Sequence, residues 1–81
     1  MDKKIKKKIL SFAVIYKAAP EGGYAVYVPV LPGCHTQGET LEEAEANIKE
    51  AIAAYLESLL YRKEKLPQET RILQGRVEIQ V

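Results

Sequence analysis

Apolar and polar residues alternate with a period of two from Ile9 to Lys17, with Leu10, Phe12, Val14 and Tyr16 on one side and Ile9, Ser11, Ala13, Ile15 and Lys17 on the other. β-branched and aromatic residues dominate this run, which predicts a half-buried strand. The connection from Ala18 to Gly23 holds Pro20, Gly22 and Gly23, residues that fix or release φ where a chain reverses. Alternation then resumes from Tyr24 to Val30, with Tyr24, Val26, Val28 and Val30 sharing a face, so the two runs form a hairpin. Pro29 must lie at an edge or a strand end, where no ladder donor is missed. After Pro32-Gly33, the stretch Cys34 to Gly38 returns as a brief third strand.

The period changes at Thr40. Thr40-Leu41-Glu42-Glu43 matches a capping box, in which the Thr hydroxyl and the Glu43 carboxylate each satisfy a backbone N–H that the helix start leaves free. Leu41, Ala44, Ile48, Ala51, Ile52, Tyr55, Leu56 and Leu59 then recur at spacings of three or four, an apolar stripe that must lie on the sheet. Glu42, Glu45 and Lys49 face water, with Glu45 and Lys49 a favourable i,i+4 pair. Pro67 closes the helical region, and the polar stretch Arg62 to Glu69 is the connection to a last strand, Arg76 to Val81, with Val77, Ile79 and Val81 on one face. Such a strand is open to other chains unless the sheet covers it. The predicted order is β-β-β-α-β: an α+β fold with a single antiparallel-type sheet and one long helix on one face. The other sheet face has no helix to cover it, which makes Ala13, Ile15 and Tyr27 candidates for a contact surface.

Composition narrows the reading further. With 81 residues, 47% of them apolar and 28% charged, the chain allows one small folded domain, divided here into a basic extension over residues 1–8 and a domain over residues 9–81. So short a chain buries only about 60% of its unfolded surface and needs a supplement. One Cys makes no internal disulfide, and one Cys with one His is too small a set for structural zinc, so self-association or a protein partner is expected. We expect a homo-oligomer, an isologous dimer that can pair into a tetramer. No apolar run is long enough to span a membrane and no signal region follows the lysine-rich start, which points to the cytoplasm.

Net charge is only +1, but it is unevenly spread. Residues 1–17 hold six Lys against one Asp, whereas residues 39–69 hold eight Glu against four Lys or Arg. Lys3, Lys4, Lys6, Lys7 and Lys8 form either a nucleic-acid contact, with Arg71 and Arg76 as helpers, or a solvated extension that maintains solubility. A small nucleic-acid-binding or transcription-regulating protein is therefore the alternative functional class.

Catalytic chemistry finds little support. Cys34 and His35 are adjacent, and consecutive strand residues point to opposite faces, so His35 cannot serve the Cys34 sulfur as a base. Cys34 reads as a small buried apolar residue. A two-metal nuclease needs converging carboxylates, yet the only Asp is Asp2 and the carboxylates of Glu42, Glu43, Glu45 and Glu50 are explained by the helix cap and its solvent face. No catalytic residue, metal or cofactor is expected. Gly33 and Gly38 match no phosphate-binding fingerprint and read as turn and strand-end positions. Asn47 lies on the apolar stripe and needs amide partners, with the turn near Pro32 and Gly33 a candidate. Tyr24, Tyr27, Tyr55 and Tyr61 suit an interface as well as a core edge.

One continuous segment adds a family resemblance. Residues 24–40, YAVYVPVLPGCHTQGET, followed by Glu43-Ala44, Asn47-Ile48 and Glu50-Ala51, resemble the HicB antitoxins. The likeness joins a Pro-x-Leu-Pro-Gly-Cys turn, a Thr-Gln-Gly-Glu-Thr lead into the helix and a Glu-Ala-x-x-Asn-x-x-Glu-Ala helix in one order. It implies a degraded, partial ribonuclease-H-like fold that binds and occludes HicA, a small mRNA-cleaving toxin, in complexes that commonly repress their own operon. Up to Val81 no DNA-binding module is appended, which leaves operator binding open, and Val30 stands where many members carry an acidic residue, which further separates the site from nuclease chemistry.

For the toxin-facing surface the expectation is Tyr27, the turn with Val30, Leu31, Pro32 and Cys34, and the acidic helix surface around Glu42 and Glu45. A ribonuclease that holds RNA presents positive charge, which the acidic stretch complements. Leu31 has two readings: an apolar anchor projected by a turn stiffened with two prolines, or a plug at the end of the core.

Overall fold

The computed structural model describes residues 9–67 and 71–81; the basic stretch Lys3 to Lys8 lies outside the described residues. Three short strands, β1 (Ile15–Ala18), β2 (Tyr24–Tyr27) and β3 (His35–Gly38), form an antiparallel sheet in sequence order, and α1 (Leu41–Tyr61) follows. This is an α+β layer of sheet and helix, as the alternating and then helical periodicity requires.

The hairpin turn is made as its residues dictate. Gly22 N donates to Ala19 O and Ala19 N to Gly23 O, both at 3.0 Å, with Pro20 in the position that its fixed φ favours and Gly22 and Gly23 at φ of 111° and 82°. The next reversal is a pair of consecutive β-turns. Leu31 N donates to Val28 O across Pro29-Val30 at 3.1 Å, and Cys34 N to Leu31 O across Pro32-Gly33 at 3.0 Å, Gly33 taking φ 83°. Proline second and a positive-φ glycine third is the chemistry of a type II turn.

These turns explain where the strands stop. Ile15 pairs with Tyr27, and beyond Tyr27 the partner strand turns away at Pro29, which has no N–H to donate. Alternation from Ile9 to Ser11 and onward to Val14 thus finds no ladder, and β1 is shorter than its pattern suggests. The fourth strand is also corrected. Residues 71–81 carry no strand and are exposed throughout, because alternation supplies a face but not a neighbouring strand, and none lies alongside among the described residues.

Helix α1 packs on β3 and β2 and not on β1. Thr40 caps it, Oγ1 accepting from Glu43 N at 3.1 Å, while Glu43 Oε1 accepts from Glu39 N at 2.6 Å. Gly38 brings the two layers together: a Cβ there would lie 2.4 Å from Ala44 N, so only glycine admits the first turn of α1 so close to β3. The core comprises Val26, Val28, Leu31, Cys34, Ala44 and Ile48, flanked by Phe12, Val14, Tyr24, Ala51, Ile52 and Tyr55. Leu41, at the head of the predicted stripe, is exposed instead. The helix ends at Tyr61, where the polar connection from Arg62 was expected to begin. Lys63, at φ 59°, donates to Leu60 O and Glu64 N to Leu59 O, a Schellman closure that satisfies the last carbonyls before proline is reached.

Candidate interaction face

The register sorts the sheet into two faces. Val26 stands beside Tyr16 and Thr36 on the helix side, whereas the rows Ile15–Tyr27–His35 and Lys17–Ala25–Gln37 lie on the side that α1 leaves uncovered. On that open side a shallow cleft of about 790 Å³ runs over β2 and β3 to the double turn, bordered by Tyr27, Pro29, Pro32, Gly33, His35 and Gln37. The two prolines hold its rim with no side-chain torsions to lose, so a partner seated there orders little that is not already ordered. Tyr27 is 41% exposed and offers a rigid ring with a hydroxyl.

The residues expected to face a toxin divide accordingly. Tyr27 and Pro32 are exposed at the cleft. Leu31 lies beneath it, fully buried at 0% exposure, and so takes the plug role rather than that of an anchor; the turn points its side chain into the core because the main chain must bond back across Val28 and Cys34. Cys34 is buried in the same cluster, burial pushes its thiol above the ordinary value, and His35 is exposed on the opposite face. The pair is therefore split by strand alternation and the sulfur is held as a neutral thiol. Val30 is half-buried against the core and outside the cleft. Glu42 and Glu45 are exposed on α1, in the layer on the far side of the sheet, so they do not share the cleft.

Asn47 resolves differently from its expected partner. Its Nδ2 donates to Gln37 O at 2.8 Å, tying α1 to β3 rather than to the Pro32-Gly33 turn. The features that sequence reasoning missed are Pro29 and His35 as part of the rim. Alternation placed both opposite the core positions Val28 and Cys34, which is the signal that could have found them. Among the described residues no group of three or more His, Cys, Asp or Glu is placed to hold a metal ion, and no helix is long and apolar enough to cross a membrane.

Comparison with known proteins places the chain in a family. The family profile described as "HicB_like antitoxin of bacterial toxin-antitoxin system" matches residues 12–79. The chain is 43% identical over 67 residues to a UPF0150 protein of Synechocystis sp., covering 83% of this chain and 85% of that one. It is 52% identical over 60 residues to a UPF0150 protein of Thermoplasma acidophilum, covering 74% and 87%. A 14.9 kDa uncharacterized protein from the rep-hol intergenic region of Haemophilus phage HP1 is 48% identical over 52 residues, which span 64% of this chain and 39% of the phage protein.

Proposed function

Because the chain belongs to the HicB-like antitoxins of bacterial toxin-antitoxin systems, we propose that it masks a small HicA-like, mRNA-cleaving ribonuclease through the open face of its sheet. The observation that carries the reading is the coincidence of that family assignment with a preformed apolar cleft on the one sheet face its own helix leaves uncovered. The protein acts by binding rather than by catalysis, and it acts where mRNA is, in the cytoplasm. Tyr27 and Pro32 supply contact area, His35 and Gln37 supply polar contacts at the rim, and Leu31 and Cys34 hold the turn from below.

Charge adds rate rather than contact. Glu42 and Glu45 stand on the other layer, and a negative field from α1 still steers a basic toxin towards the molecule, since steering acts over about a Debye length, near 8–10 Å at physiological salt. Replacing them with Lys should slow association and weaken its salt dependence, while leaving dissociation nearly unchanged.

The test is co-expression with the product of the neighbouring gene, followed by co-purification and a growth-rescue assay. Wild type should bind at micromolar concentration or tighter and restore growth, and Tyr27→Asp with Pro32→Asp should abolish both. A neighbour that is not a small basic protein, or that fails to bind, refutes the antitoxin reading; full rescue by a folded double variant refutes only the assignment of the face. Binding to an oligonucleotide that falls by orders of magnitude between about 50 and 200 mM salt would favour the nucleic-acid alternative.

A further inference from the structure

The cleft on the open face continues beyond the residues already assigned to it. Ala25 and Gln37 line it at its end nearest the hairpin, and they also line a second cleft of about 390 Å³, which rounds the end of the sheet between the Ala19–Gly23 turn and the first turn of α1. Gly22, Gly23 and Gly38 open this passage because none of them carries a side chain. The two ends of the combined groove differ in chemistry. At the double turn the lining includes Tyr27, Pro29, Pro32 and His35, with no carboxylate. At the hairpin it includes Glu21, Glu39 and Glu43, with no Lys or Arg.

The three carboxylates divide by what already holds them. Glu43 closes the helix cap on Glu39 N, so one of its oxygens is committed. Glu21 and Glu39 are exposed, and among the described residues the ion pair forms elsewhere, between Arg62 and Glu64 beyond the far end of α1. Lys17, beside Ala25 in the adjoining row, is one cation against three carboxylates. The start of α1 adds about half a positive charge, which still leaves the corner negative. Such a corner repels phosphate and attracts ammonium or guanidinium groups.

We propose that the toxin seats along this groove in one direction: an apolar patch on Pro29 and Pro32, and the Lys or Arg side chains with which it holds RNA at Glu21 and Glu39. The inference rests on the toxin-masking reading and deepens it, assigning a direction and two contact residues beyond Tyr27 and Pro32. A basic protein surface is the occupant because it offers apolar and cationic groups to the two ends, whereas a nucleic acid would set phosphates against carboxylates. The four residues of β2 set the ends roughly 14 Å apart, at about 3.4 Å per residue. That exceeds a Debye length at physiological salt, so neither end substitutes for the other. Glu21 and Glu39 then stand where phosphates would, and masking neutralises the toxin's RNA-holding cations as well as covering them.

Association and dissociation kinetics of the full chain against the product of the neighbouring gene test the proposal. Glu21→Lys with Glu39→Lys should speed dissociation more than about tenfold, because two attractions become repulsions. Glu21→Gln with Glu39→Gln should speed it roughly two- to fivefold, with helical circular dichroism unchanged in both variants. Glu42→Lys with Glu45→Lys is the contrast, altering association alone. The direction is read without any variant, by adding unlabelled toxin to the ¹⁵N-labelled wild-type chain. The amides of Gly22, Gly23 and Gly38 at one end and of Gly33 at the other should shift together. Unchanged dissociation in the folded lysine variant, shifts confined to the Gly33 end, or shifts of the three corner glycines on adding an RNA oligonucleotide in place of toxin each overturn the proposal and leave the masking reading standing. A toxin that does not bind the wild-type chain overturns both.

Discussion

The two faces of the sheet are built from the same strands yet obey different constraints. On the helix side β2 and β3 are packed: Val26, Val28 and Cys34 meet Ala44 and Ile48, and Gly38 leaves no room for even a methyl group. One residue away along each strand, Ala25, Tyr27, His35 and Gln37 are exposed and touch no second layer. The difference shows that core packing and open surface are segregated by the two-residue period, so a single substitution acts on one or the other according to its parity. The double turn of residues 28–34 is where the two meet, Leu31 buried below and Pro32 exposed above.

The largest effect expected from breaking this separation is at Leu31. Removing a fully buried leucine leaves a cavity and should cost about 2–5 kcal/mol, for Leu31→Ala, measured by denaturant unfolding. For a domain whose total stability is of order 5–15 kcal/mol this is a large share, and Leu31→Asp, which buries a charge, should leave the chain unfolded. A change below about 1 kcal/mol for the alanine variant would mean that the turn belongs to the open face after all.

Gly38 should come next. Gly38→Ala must push the first turn of α1 away from β3, a cost of about 1–3 kcal/mol, because the obstructing atom is the backbone nitrogen of Ala44 rather than a side chain that can swing aside. Thermal unfolding should fall by roughly 4–8 °C for each kcal/mol lost. An unchanged midpoint would show that the layers can separate without penalty.

These two positions also mark what was legible in the sequence. The capping box at Thr40, the hairpin at Pro20 to Gly23 and the split of Cys34 from His35 follow from local chemistry, and each is found as expected. The depth of Leu31 was not readable, because a residue between two prolines satisfies both an exposed-turn and a core pattern until the hydrogen bonds of the turn are known. Gly38 read as a strand end, since a close approach depends on where another element lies. Strand extents at residues 9–17 and 76–81 were overread for the same reason: alternation reports a face, and pairing requires a neighbour. Of the open-face cleft, Tyr27 and Pro32 were legible as exposed positions, whereas the separation of Glu42 and Glu45 onto the other layer needed the packing of α1.

Cys34 sharpens the comparison through pH. Burial raises the folded thiol above its ordinary value of 9.0, so the folded chain holds its proton more tightly than the unfolded one. This group's contribution is therefore fully present below pH 9.0 and is lost as the pH climbs through the higher folded value. A Cys34→Ala variant should show a shallower decline of stability above pH 9 than wild type. Alkylation at pH 8 should be slow in the native protein and fast in denaturant, whereas an exposed thiol would react equally in both.

The smallest change in stability is expected at Tyr27, and that smallness gives the functional test its meaning. Tyr27 stands between Ile15 and His35 on the open face, where a cross-strand neighbour contributes about 0.2–1 kcal/mol and no second layer is lost on replacement. Tyr27→Asp should therefore lower unfolding stability by under about 1 kcal/mol, within the range of ordinary surface changes, and leave the helical signal intact. The adjacent Val26, at 0% exposure, supplies the internal control: Val26→Asp places a charge in the core and should unfold the chain. If Tyr27→Asp proves as damaging as Val26→Asp, the open face is a second buried layer in solution and the partition between stability and recognition fails. If it is mild and toxin neutralisation is nevertheless lost, binding resides on the uncovered face rather than in the fold that displays it.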